Sequence, residues 1–296
     1  MTAPDPVPYA GELARLFDLE RVDEQTWLGR SDVMRLPQVF GGQLVGQSLV
    51  AAARGADPLL RVHSIHTVFL RPGDCPEPVE YSVEETYAGR SRGTWQVTGR
   101  QGGRLICRSF VSASRDGTGV GHARPAPDAG AVQDARPLPA VAEPDGGLGP
   151  WWCDFDAIEV RVAPVDESAP APHSAIAPRN FWMRAVERLP DDPVVHRAAV
   201  AFASDLMLMG TAATAHGVPT GFERTLAEQW WGISLDHAVW FQGDVRADDW
   251  LVYEHTTPMA HAGRALIQAA AFDREGRPAA QIAQEALIRR HRDSGR

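Results

Sequence analysis

Ile65-His66-Thr67-Val68-Phe69 returns later in the chain as Asp236-His237-Ala238-Val239-Trp240. The same landmarks follow each run in the same order. Tyr81, Ala88-Gly89-Arg90 and Gly103-Arg104 follow the first; Tyr253, Ala262-Gly263-Arg264 and Gly276-Arg277 follow the second. Matched positions lie 171 to 174 residues apart, from His66 to His237, Tyr81 to Tyr253, Arg90 to Arg264 and Arg104 to Arg277. A near-constant offset over four landmarks marks an internal repeat. His66 and His237 are matched in it, which points to a shared structural role.

Each copy reads as one helix followed by strands. In the first, Gly41-Gly42 precedes a run with helical apolar spacing at Leu44, Val50 and Ala51, and strands are expected at 62–70, 79–87, 93–100 and 104–113. In the second, Asp192 is a good helix cap and Pro193 a good first helical residue. That helix is expected to run to about Met209, with strands at 229–242, 250–256, 264–272 and 279–290. A helix covering an antiparallel sheet, present twice, is an α+β architecture with a pseudo-twofold axis. Residues 1–115 form the N-terminal repeat and 151–296 the C-terminal repeat. Residues 116–150, rich in Pro, Gly and Ala, read as a linker, a composition expected to give neither ladder nor core.

Composition narrows the chemistry. The 296 residues carry a formal charge of −9, which disfavours nucleic acid as a partner. All 29 basic residues are Arg, so Schiff-base chemistry and the P-loop lysine are excluded. The three cysteines, Cys75, Cys107 and Cys153, form no CxxC pair, and neither a disulfide framework nor a zinc site is expected. Met1–Pro8 lacks the basic and apolar regions of a leader, and the apolar stretch 198–215 carries Asp205 near its middle. A cytoplasmic protein without a membrane span is therefore expected. There is no GxSxG elbow, no HExxH, and no GxGxxG after a strand.

Three polar residues interrupt apolar patterns. Ala198, Phe202, Asp205 and Met209 share one stripe of the expected second helix, so the stripe buries a carboxylate. Desolvation raises an Asp pKa toward values useful to a general base; a solvent-facing or hydrogen-bonded Asp satisfies the same pattern. Gln284 shares a strand face with Ile282, Ala286 and Ile288, either in a polar cavity or as a satisfied buried amide. Val111 stands at the matching place in the first copy, whose helix has Gln43 and Gln47 but no carboxylate. Ser234 lies just before Asp236-His237. Gly41 and Gly42 either make a tight turn or bring backbone N–H groups to a substrate carbonyl.

These residues sit in strings that resemble the acyl-CoA thioesterase II family. In the first copy the strings are Val39-Phe40-Gly41-Gly42-Gln43-Leu44-Val45-Gly46-Gln47-Ser48 and Val62-His63-Ser64-Ile65-His66-Thr67-Val68-Phe69-Leu70-Arg71-Pro72-Gly73-Asp74. In the second they are Trp182-Met183-Arg184, Leu189-Pro190-Asp191-Asp192, Ala203-Ser204-Asp205-Leu206, Leu235-Asp236-His237-Ala238-Val239-Trp240-Phe241 and Ala283-Gln284-Glu285. The resemblance implies a double hotdog fold and hydrolysis of acyl-CoA to free acid and CoA. It also implies a water-activating trio that falls on Asp205, Ser234 and Gln284, with Ser234 where some relatives carry Thr. Gly41, Gly42, Gln43, Phe202 and Met209 are expected near the substrate, and Met207, Trp230 and Trp231 with Phe202 and Met209 in an acyl pocket. No cofactor or metal is expected, and a homo-oligomer is. The competing reading is a non-hydrolytic hotdog protein that binds or dehydrates thioesters of CoA or acyl carrier protein.

Overall fold

The computed structural model describes residues 13–31, 36, 38–149, 152, 156–164 and 177–291. Met1–Pro8, Cys153 and the start of the expected C-terminal repeat at Trp151 lie outside them. The first half contains α1 (Leu13–Leu16), β1 (Glu20–Arg21), β2 (Thr26–Gly29), α2 (Gly41–Gly55), β3 (Arg61–Phe69), β4 (Val79–Ala88), β5 (Arg92–Gln101) and β6 (Arg104–Ser114). β7 (Arg136–Pro137), α3 (Leu138–Ala142), β8 (Ile158–Val162) and β9 (Arg179–Ala185) follow. The second half then runs α4 (Pro193–Ala203), α5 (Leu208–Thr214), α6 (Glu223–Gln229), β10 (Trp230–Ser234), β11 (Asp236–Phe241), β12 (Leu251–His261), β13 (Arg264–Phe272) and β14 (Pro278–Arg290).

The strands make one antiparallel sheet in the order β1-β2-β4-β5-β6-β3-β11-β14-β13-β12-β9-β8-β7, with β10 also on β14. β3 and β11 meet at its centre and join the halves. Alternating apolar residues turn one face of this sheet to the core. Tyr81 and Tyr253, matched in the repeat, are both fully buried on it.

The matched histidines do not share a role. Across the central ladder His66 stands opposite Ala238, and His237 opposite Thr67. Opposed residues share a face, and neighbours along a strand do not. His66 is exposed and meets the Trp240 ring edge-on at 4.8 Å, while His237 is completely buried. An offset of 172 preserves the face and pairs His237 with Ile65, which is also buried. The similarity of the two strings hides a shift of one residue.

Helix α2 lies over β3 to β6 and packs along α4. Every residue from Gly42 to Ala52 is buried, as a helix covered on both sides requires. The approach to α4 depends on absent side chains. A Cβ on Gly42 would stand 2.5 Å from the Phe202 carbonyl oxygen, and one on Gly46 3.0 Å from that of Ala198.

Two expectations fail here. The second helix does not reach Met209. It begins as read, with Asp192 accepting from the Val194 N–H at 2.9 Å and Pro193 in the first turn. It ends at Ala203, because Ser204 Oγ bonds back to Ala201 O, the Asp205 and Leu206 N–H groups reach back only three residues, and Met207 takes φ 64°. Left-handed backbone cannot continue a right-handed helix. A new helix, α5, starts at Leu208 and lies over β12 and β13.

The stretch read as a linker contributes both ladder and core. β7 pairs with β8. Ala126, Ala129, Val132 and Ala135 pack on Trp182, Trp250, Val252, Ala270 and Phe272. Those sheet residues alternate with the ones that face the helices, so this strap covers the opposite face of the second half. Arg124, over the Phe272 ring and paired with Glu254, fastens one end. The corresponding face around β3 and β6 leaves Val68 and Phe110 exposed.

Gly42→Ala is expected to lower stability by about 1–3 kcal/mol, as overpacking against backbone does, despite the better helix propensity of Ala. Gly55→Ala, in open space at the end of the same helix, is expected to be neutral or to add up to ~1 kcal/mol. Urea denaturation of both variants checks the pair.

Candidate active site

Asp205 stands in the turn between α4 and α5, not on a helical stripe. Its side chain is 6% exposed. The N-terminus of α2 faces it, and Gly42 N–H donates to Oδ2 at 2.8 Å. A Cβ at Gly41 would lie 2.7 Å from the same oxygen and 3.1 Å from Phe69 Cζ. The glycine pair therefore lets a helix terminus from the first half close on a carboxylate from the second. Helix N-termini favour anions, and the free first-turn N–H groups are the reason.

Gln284, on β14, is the next member. Its amide faces Asp205 and opposes the rise of that carboxyl's pKa, and its Nε2 donates to Ser234 Oγ at 3.0 Å. Its Oε1 lies 2.7 Å from His237 Nδ1. The other ring nitrogen, Nε2, lies 2.8 Å from Ser204 Oγ. His237 Nδ1 is 3.9 Å from Asp205 Oδ1. Five side chains from three segments thus form one buried network.

A bulge makes this convergence possible. Ser234 and His237 are three apart and belong on opposite faces of a regular strand. Against β14, Ser234 pairs with Ala286 and Ala238 with Ala283, so four steps on one strand meet three on the other. The extra residue at Leu235-Asp236 turns both Ser234 and His237 toward Gln284. The Asp236 carboxylate accepts from Glu285 N–H at 2.7 Å and satisfies the backbone there.

Burial pushes the Asp205 carboxyl above its ordinary range. His237, the Gly42 N–H and the Gln284 amide oppose that shift without cancelling it. A buried carboxylate with a raised pKa, held by donors at fixed positions, is equipped to take a proton from water. Among the described residues no group of three or more His, Cys, Asp or Glu is arranged to hold a metal ion.

The remaining expected residues divide. Gly41 lies against Asp205, but the Gly42 N–H is committed to the carboxylate and is not free for a substrate carbonyl. Gln43 turns away: its Nε2 donates to Arg30 O at 3.2 Å and faces Gln47. Phe202 is fully buried against Phe40, centroids 4.9 Å apart, and Phe17 at 6.4 Å; it is core. Met209 is half-buried, with its sulfur against Gly232. Met207 is buried, Trp230 half-buried, and Trp231 exposed to solvent. Residue-by-residue reading did not assign His237, Ser204 or Phe69 to the site. Only His237 carried a signal, a buried imidazole on an inward strand face.

The profile described as acyl-CoA thioesterase matches residues 158–287, and that of the acyl-CoA thioesterase N-terminal domain matches 31–114. The chain is 29% identical over 307 residues to human acyl-coenzyme A thioesterase 8, covering 93% of this chain and 88% of that one. The crystal structure of the acyl-CoA thioesterase II TesB2 from Mycobacterium marinum is 35% identical, with a TM-score of 0.80, over 95% of this chain and 99% of that one. A hot dog fold protein from Alicyclobacillus acidocaldarius superposes with a TM-score of 0.73 at 17% identity, over 96% of this chain and 99% of that one, a likeness of fold alone.

The raised pKa has a consequence for stability. An acid whose folded pKa lies above its unfolded value favours the fold while protonated, and that contribution is lost as pH rises through the folded pKa. Asp205 therefore weakens the fold at neutral pH. Asp205→Asn is expected to melt no lower than wild type at pH 7 to 8, with any advantage vanishing as the pH falls below the ordinary Asp value of about 3.9. Thermal melts across that range test the sign.

Proposed function

The chain belongs to the acyl-CoA thioesterase family, and from that premise we propose that Asp205, Gln284 and Ser234 activate the water that cleaves its substrate. The reaction is hydrolysis of an acyl-CoA thioester to a free acid and CoA. The fold is a double hotdog.

The observation that carries the mechanism is the buried Asp205 carboxylate, held by the Gly42 N–H at 2.8 Å and faced by the Gln284 amide. Water held by Gln284 and Ser234 attacks the thioester carbon while Asp205 accepts one of its protons. The tetrahedral intermediate collapses with cleavage of the carbon–sulfur bond, and the proton on Asp205 passes to the leaving sulfur. A thiolate leaves readily, so positioning and proton transfer suffice and no covalent acyl-enzyme is needed. Gln284 Nε2 already donates to Ser234 Oγ, so the Ser234 hydroxyl keeps its own proton for the site.

Met207, two residues from Asp205, and Met209 and Trp230, on α5 and β10 in the same apolar cluster, suit an adaptable acyl pocket, because thioethers adjust to several shapes. Medium to long acyl chains are the proposed substrates. The exposed Val68, Phe110 and Trp240 on the outer sheet face support homo-oligomerisation, which light scattering tests. The free, buried thiol of Cys107 suits a reducing cytoplasm. No helix among the described residues is long and apolar enough to cross a membrane.

Asp205→Asn is expected to cost about 10²–10⁴-fold in kcat, the usual loss of a general base. Gln284→Ala should cost less, Ser234→Ala less again, and Ser234→Thr almost nothing. Thiol release from acyl-CoAs of increasing chain length measures both the ranking and the chain preference. Near-normal turnover by a folded Asp205→Asn enzyme, or a sharp preference for acetyl-CoA, overturns the corresponding assignment.

A further inference from the structure

Gln284 has an amide whose two ends are nearly alike in shape and opposite in hydrogen-bonding sense. Its usefulness depends on which end faces the carboxylate. With Nε2 toward Asp205 and Ser234, one N–H donates to Ser234 Oγ and the other is left to the carboxylate side of the site. Rotated by half a turn, it would set Oε1 against the Asp205 carboxylate, and water would lose its donor. Nothing in the amide itself prevents that rotation.

We infer that His237 is the positioning residue that fixes the Gln284 amide, by donating from Nδ1 to Oε1 and so directing the two N–H groups of Nε2 to Ser234 and to the water beside the Asp205 carboxylate. The inference rests on the water-activation reading above and adds a residue to it. The 2.7 Å contact requires a hydrogen on Nδ1, because an amide oxygen is only an acceptor. In the neutral ring that proton leaves Nε2 as an acceptor, which the Ser204 hydroxyl, 2.8 Å away, supplies with a donor. His237 is fully buried, so no solvent competes for either nitrogen. Thr67, directly opposite on β3, is occupied with Ser109 at 2.8 Å and leaves the ring alone.

A second consequence is that Nε2, a donor, is the end of the Gln284 amide that faces the carboxylate and the water, and the base left to accept the water's proton is Asp205.

The test uses two variants of the full-length enzyme. An Asn side-chain nitrogen stands close to the place of a His Nδ1, and a Gln nitrogen close to that of Nε2. His237→Asn is therefore expected to keep much of kcat, and His237→Gln to lose up to about a hundredfold, the scale of a misplaced reacting group, with KM little changed in either. Equal losses in the two, or losses that follow the melting temperatures alone, overturn the inference. Nuclear magnetic resonance of isotope-labelled histidine in the wild type reads the tautomer directly. A protonated Nδ1 on His237 at neutral pH is the expected result, and an unprotonated Nδ1 overturns it. Turnover by Asp205→Asn separates the two readings: a normal rate there defeats the water-activation reading while leaving the tautomer result standing.

Discussion

The site depends on one hydrogen bond between halves. Gly42 N–H, at the start of a helix from the first repeat, donates to a carboxylate in the turn that ends a helix from the second. Burying a charge is costly unless donors meet it. Here a helix terminus donates and the Gln284 amide faces the carboxylate. The glycines at 41, 42 and 46 let the two helices approach closely enough for the bond. Antiparallel packing of α2 on α4 is thus a condition of the proposed chemistry as well as a source of core.

Duplication explains why the site occurs once. In a pair of identical subunits, every residue at one site has its twin at the other. A fused pair is free of that constraint. Val111 occupies the β6 position that corresponds to Gln284, and Ile65 that of His237. At the other end of the helix pair, the N-terminus of α4 meets an arginine, Arg54 with Asp192 at 2.9 Å, in a surface ion pair. One end of the two-helix unit has kept polar machinery in the core, and the other has been filled with apolar side chains.

The strands, the Asp192-Pro193 helix start and the inward face of β14 were legible because each depends on local period or local capping. Asp205 and Gln284 were legible as polar residues that interrupt apolar patterns. The end of α4 at Ala203 was not, because Ala-rich sequence is compatible with continuing the helix, and the Ser204 back-bond and the left-handed Met207 that stop it carry no clear local signal. The place of His237 was not, because a single extra residue in a strand reverses which side chains point inward. Gln43 misled for a related reason: its position in the string says nothing of which helix face meets the carboxylate. The strap at 126–135 was invisible because small residues far from their partners carry no local signal.

That strap has a bearing on the order of assembly. Arg124 and its partner Glu254 are 130 positions apart, and Phe272 lies further on still. During synthesis the strap leaves the ribosome well before the strands it covers exist. Contacts of such long range form late, after the loop between them has been closed. Until then Trp182, Trp250 and Phe272 make an aromatic, water-exposed platform on a nascent sheet, the kind of surface that captures chaperones or other chains. The proline- and alanine-rich segment that looks like a passive connection is the piece that retires this surface, and its docking marks the completion of the second half.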